Sequence, residues 1–131
     1  MKWIIAYIAA AISFGVLDAL WLRWALPNFY RPNIGELLAD NARLAPAAVF
    51  YLAYIGGIVW FAVRPALANG LGSAALNGAL LGALCYATYD LTNQATLKVW
   101  PVQVTVVDIL WGGFATCVAA TCAAFVAQKL A

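Results

Sequence analysis

Residues 3–26 read WIIAYIAAAISFGVLDALWLRWAL, an apolar run broken inside by one acid, Asp18, and near its end by Arg23. As a helix rising about 1.5 Å per residue, this run crosses a hydrocarbon core, which takes about 20 apolar residues. Three further runs of the same kind lie at about 46–64, 73–98 and 102–128. Pro27-Asn28 is expected to stop the first and Arg64-Pro65 the second. The third begins after a turn at Gly70-Leu71-Gly72-Ser73. Pro101 opens the fourth, at a position where its missing N–H goes unneeded. The expected fold is an all-α integral membrane protein, a four-transmembrane-helix antiparallel bundle making one membrane domain over residues 1–131.

Composition agrees and removes several function classes. Hydrophobic residues make up 66% of the 131 positions, charged residues 9%, and mean hydropathy is +0.90. A soluble surface needs about a quarter charged residues. A net charge of +2 is too small and scattered to suit nucleic acid, so the bilayer is the expected partner and nucleic acid is not. Histidine is absent, which removes the commonest general base and zinc ligand. Cys85, Cys117 and Cys122 all lie in apolar runs and read as reduced small hydrophobes. Lys2 ahead of an apolar run resembles a signal peptide, but the run is too long, carries Asp18 and lacks a small-residue cleavage site. It is read as retained.

Between the first two spans, Asn33 and Glu36 have the spacing of a capping box. Ile34, Leu37, Leu38 and Leu44 recur at helical intervals, so a short interfacial helix over about 33–43 is expected. Lys2, Arg64 and Lys129 mark one membrane face; Arg31, Arg43 and Lys98, with Arg23 near its span's end, mark the other. The totals nearly balance, and cytoplasmic termini are the orientation favoured.

Asp18, Asp90 and Asp108 are three of the five acids in the chain, and all three fall within spans. An ionisable group at bilayer depth is expensive and marks a candidate functional site. Two of them open one phrase, Asp18-Ala19-Leu20-Trp21 and Asp108-Ile109-Leu110-Trp111. Asp18 and Asp90 each lie about 12 Å before the end of a helix, and Asp108 about 10 Å after the start of one. In an up-down-up-down bundle this sets all three at one level. The other half of the bundle has no acid.

Helical spacing supplies neighbours. Gly78, Gly82, Tyr86, Tyr89, Asp90 and Asn93 share one stripe. Tyr51 and Tyr54 lie a turn apart at a matching depth, and Trp21 and Trp111 come three residues after their aspartates. The candidate ligand-binding layer is therefore Asp18, Trp21, Tyr51, Tyr54, Tyr86, Tyr89, Asp90, Asn93, Asp108 and Trp111, with hydroxyls from Thr92 and Thr105. Trp3, Trp24, Trp60 and Trp100, with Tyr7 and Tyr30, fit an interfacial aromatic belt. Arg23 is expected to snorkel or to pair with Asp18. Gly78-Ala79-Leu80-Leu81-Gly82 and Gly112-Gly113 permit close helix approach, within one copy or between copies.

The chain resembles the family of small bacterial four-span membrane proteins described as domain of unknown function 2177. The resemblance rests on Asp18-Ala19-Leu20-Trp21-Leu22, Phe50-Tyr51-Leu52-Ala53-Tyr54, Tyr86-Ala87-Thr88-Tyr89-Asp90-Leu91-Thr92-Asn93 and Asp108-Ile109-Leu110-Trp111-Gly112. It implies a multi-pass protein of the bacterial inner (cytoplasmic) membrane, and it implies no reaction, substrate or cofactor.

Three functions fit the layer. The first is binding or translocation of a small polar or amphiphilic molecule linked to a proton, since three carboxyls in one low-dielectric layer cannot all ionise and must share one. Tyrosine and tryptophan walls suit an organic cation. A chain this small would need a homodimer to enclose a transport path. The second is a membrane-embedded acid/base enzyme acting on a lipid or isoprenoid, with Asp90 and Asp108 as the pair. Against it, the chain has no Gly-x-Ser-x-Gly, no Gly-rich phosphate loop and few basic residues to accompany a carboxylate-held Mg²⁺, so no metal or cofactor is expected. The third is structural: a polar layer that fixes helix pairing, as in an accessory subunit of a larger complex.

Overall fold

The computed structural model describes residues 1–130, and it contains four helices long and apolar enough to span a membrane: Lys2–Leu37, Leu44–Asn69, Leu71–Thr96 and Val102–Leu130. The last two spans match the sequence expectation within two residues. The first two run past the prolines expected to stop them. A π-helical turn at Leu26–Tyr30 carries the first helix through Pro27 into Arg31–Ile34, and another at Val59–Val63 carries the second into Arg64–Asn69.

Both wide turns stand directly before an Arg-Pro pair, Arg31-Pro32 and Arg64-Pro65. A proline inside a helix lacks one N–H and crowds the carbonyl four residues back. Widening the preceding turn relieves that crowding but strands a carbonyl, which hydrocarbon cannot solvate. The backbone N–H of Arg64 turns to the carbonyl of Val59, and its Nε then donates to the freed Trp60 carbonyl at 3.2 Å. At the first wide turn, Asn28 Nδ2 donates to the Trp24 carbonyl at 2.7 Å. In lipid, such side-chain repair lets the helix continue where a soluble one would break.

The segment expected to form a separate helix over 33–43 differs as well. Asn33 is no N-cap; its Nδ2 donates back to the carbonyl of Phe29 at 2.8 Å, inside a helix already under way. A single 3-10 turn over Gly35–Leu37 ends that helix, and Leu38–Arg43 is non-helical. Gly70 joins the second and third helices at φ 95, a left-handed value that favours glycine.

The fourth helix is the centre of the bundle. Its buried stripe runs Val104, Thr105, Asp108, Gly112, Ala115, Thr116, Ala119, Ala120, Ala123, Ala124, Ala127. Small side chains let the third helix lie almost on its backbone: a Cβ added at Gly82 would meet the Gly112 carbonyl oxygen at 2.1 Å, and one at Gly78 the Thr116 oxygen at 2.8 Å. The Gly78/Gly82 pair is thus used inside one copy, where dispersion between close backbones replaces the hydrophobic effect that lipid removes. The second helix joins through its C-terminal half, with Ile55, Ile58, Ala62, Val63 and Ala66 buried, while Leu44, Val49, Phe50 and Leu52 near its start are exposed.

Candidate functional site

Each aspartate lies on an interior stripe of mostly four-residue steps, with Tyr86 filling the step between Gly82 and Asp90. The first helix buries Ala6, Ala10, Phe14 and Asp18; the third buries Ala74, Gly78, Gly82 and Asp90. Asp108 holds the same place on the fourth. The apolar seam therefore turns into carboxyls at one end of the bundle. Asp90 is 0% exposed, and Asp18 and Asp108 are 7% exposed.

The three are held very differently. Asp18 accepts a hydrogen bond from Trp111 Nε1 at 3.3 Å. Trp111 stacks on Trp21 with ring centroids 4.8 Å apart and planes at 13°. Trp21 Nε1 donates to the Tyr30 hydroxyl at 3.1 Å, and that hydroxyl donates to Asp108. The two Asp-x-Leu-Trp phrases thus form facing walls, joined by stacked indoles and tied to both outer carboxyls. Asp90 sits close enough to Asp108 for the two carboxyls to share a proton, and no other group hydrogen-bonds either of its oxygens. Buried carboxyl oxygens without another partner are rare and call for an explanation.

Tyr86 lies between this layer and the core below. Its ring occupies the space over Gly112, where an added Cβ would meet it at 2.3 Å, and its hydroxyl lies near Asp18, Asp108 and Tyr54. Tyr89 is 60% exposed and meets Trp100 edge-on at 5.8 Å.

Tyr51 and Tyr54 are deeper than expected. Tyr54 shares a 2.7 Å hydrogen bond with Thr116, eight positions beyond Asp108 on the fourth helix, which is about 12 Å further into the bundle. Tyr51 and Tyr54 both pack on Phe14, one turn inward of Asp18. They form a second polar level with Thr116, beneath the carboxyls. Asn93 is half-buried on the third helix near Tyr89, and Thr92 is exposed.

Tyr30 is the member that sequence reasoning assigns elsewhere. Taking Pro27 as a stop puts it in the aromatic belt, whereas the wide turn brings it over Asp108. Asn33 Oδ1, three residues on, accepts from Gln103 Nε2 at 2.8 Å, so the extension of the first helix covers the start of the fourth. Trp100 also leaves the belt and donates to Thr105 Oγ1 at 3.1 Å. Tyr7 donates to the Leu52 carbonyl at 2.8 Å, joining the first and second helices. Arg23 is exposed, and the donor to Asp18 is Trp111. Thr116 was legible: it lies on the Asp108 stripe two turns along.

The family described as predicted membrane protein (DUF2177) matches residues 3–125. The chain belongs to that family. The match reaches into all four helices and includes every residue of the carboxyl layer, as the resemblance of the four phrases implied. No curated protein and no solved structure matches the chain. Among the described residues, no group of three acidic or cysteine side chains is arranged to hold a metal ion.

Proposed function

We propose that this membrane protein binds a small polar or amphiphilic molecule at the carboxyl layer, in exchange for a proton shared by Asp90 and Asp108. The observation that carries the reading is Asp90, fully enclosed, with only the carboxyl of Asp108 beside it and no indole, phenol or amide of the fold donating to it. A structural layer accounts well for Asp18 and Asp108, which accept from Trp111 and Tyr30. It does not account for Asp90, since an unsatisfied buried acid weakens a fold. A ligand that donates to Asp90 does account for it. Trp21, Trp111, Tyr86 and Tyr30 surround the carboxyls with aromatic faces and hydroxyls suited to an organic head group.

The same reading sets the protein in a bacterial inner membrane with cytoplasmic termini, so that the layer lies toward the outer leaflet. Binding is assigned to the single chain, and translocation to a homodimer able to enclose a path. An acid/base enzyme acting on a lipid rests on the same Asp90–Asp108 neighbourhood, and would differ by changing the cell's lipids.

Purification in mild detergent, with native mass spectrometry and solvent extraction, tests the proposal. Wild type should retain a small molecule that Asp90→Asn and Asp108→Asn variants of equal melting temperature lose. A wild type that carries nothing, with variants that melt early, would leave the layer a structural device. A chemically altered lipid in expressing cells would favour the enzyme.

A further inference from the structure

Phe50 of the second helix and Cys85, Tyr86 and Tyr89 of the third line a groove of about 360 Å³. Small-molecule sites occupy about 300–1,000 Å³, so the groove is large enough for one. Two of its walls are open to the bilayer, Phe50 at 50% and Tyr89 at 60% exposure. The groove exists because the start of the second helix stands away from the third. Its lining is apolar apart from one thiol and two phenols.

Tyr86 connects this groove to the carboxyls. One side of its ring lines the groove and the other lies over Gly112. Asp90 is one turn further along the same helix face, the spacing at which side chains are neighbours. Tyr86 therefore stands between an occupant of the groove and the carboxyl layer, where its neighbours include Asp18 and Asp108.

Charge selects the occupant. The donors to Asp18 and Asp108 are an indole and a phenol, both neutral, and Asp90 has no donor. An anionic or phosphate head brought here would meet three carboxyls at close range in low dielectric. A cationic head meets opposite charge and aromatic faces, which attract cations. We infer that the groove is the lateral door for a single-tailed amphiphile with a cationic head, taken from the bilayer itself. The tail lies along Phe50, Cys85 and Tyr89. The head reaches Asp90 and Asp108 when the Tyr86 ring turns aside. This inference rests on the ligand reading above and adds its chemistry and its route.

Cys85 lies in the groove wall and serves as a native reporter. In proteoliposomes of a Cys117→Ala/Cys122→Ala variant, Cys85 alkylation by N-ethylmaleimide is followed by mass spectrometry, with added dodecyltrimethylammonium, dodecanol or dodecyl sulfate. The cation should slow alkylation about tenfold, as expected for a desolvated charge contact, while the alcohol and the sulfate do not. Asp90→Asn and Asp108→Asn should abolish the protection. Equal protection by all three amphiphiles, or by none, overturns the inference, and this comparison stands even if an aspartate variant fails to fold. If an aspartate-dependent molecule co-purifies but Cys85 is never protected, the lateral door falls and the carboxyl site stands. If neither is observed, both fall.

Discussion

The Tyr30 hydroxyl donates to Asp108 across 78 positions of sequence, from the last residue of a π-helical turn. It also accepts from Trp21, so one phenol links an indole of the first helix to a carboxyl of the fourth. Two further ties join the same helices, the Trp111–Asp18 hydrogen bond and the stacked indoles. The position of the outer two carboxyls is therefore fixed by neutral donors.

Tyr30→Phe removes both hydrogen bonds while keeping the ring. It should lower stability by about 0.5–2 kcal/mol, the span seen for interhelical hydrogen bonds in membranes. Reversible unfolding in mixed micelles measures this. An unchanged unfolding curve would mean that Tyr30 does not engage Asp108.

Pro32 stands two residues after Tyr30, and the wide turn accommodates it. Pro32→Ala removes the reason for the turn, and tightening to ordinary α geometry would rotate the remainder of the helix by about 100°. The Tyr30–Asp108 contact should then be lost. A double-mutant cycle checks it: Tyr30→Phe should have little further effect in the Pro32→Ala background, and the same full effect in both backgrounds would contradict it.

Gly82 and Gly57 give opposite expectations for one substitution. A Cβ at Gly82 would strike the Gly112 carbonyl oxygen at 2.1 Å, while one at Gly57 has nothing within 4 Å. Gly82→Ala should push the third and fourth helices apart, costing about 1–3 kcal/mol and displacing Asp90 from Asp108. Gly57→Ala should be neutral or slightly stabilising. Thermal melting in detergent compares the two.

The four spans were legible because hydropathy over about 20 residues survives any local irregularity. So was the carboxyl layer, because a residue's depth in a helix can be obtained by counting. Counting fails where a helix is not ideal. Pro27 and Pro65 read as stops, since the rule for proline assumes that water competes for freed backbone groups. In lipid it does not, and at the second turn Arg64 supplies the missing donor from its own side chain. That difference is the reason sequence spacing assigns Tyr30 to the belt. Spacing also sets Tyr51 and Tyr54 too shallow, because their helix begins at Leu44, two residues before the expected start, and so carries both about 3 Å deeper.

Exchange of a cation for a shared proton fixes a sign. Lowering pH restores the proton and competes with the ligand; raising pH removes the competitor. Affinity for dodecyltrimethylammonium should rise by up to about tenfold per pH unit while one proton is displaced, and Asp108→Asn should flatten the dependence. Binding by fluorescence or calorimetry across pH measures the slope, and a pH-independent affinity would argue against proton exchange.

Asp90 carries the central claim, because it is the carboxyl that the fold does not use. The deciding measurement is the unfolding free energy of Asp90→Ala against wild type stripped of any bound molecule, with the bound molecule assayed in both proteins before stripping. If Asp90 serves a ligand, stability should be unchanged or raised by about 1 kcal/mol, since an unsatisfied buried group is removed, and the bound molecule should be lost. A fall of about 2 kcal/mol or more with nothing bound in either protein would show that Asp90 holds helices together, and would contradict the claim.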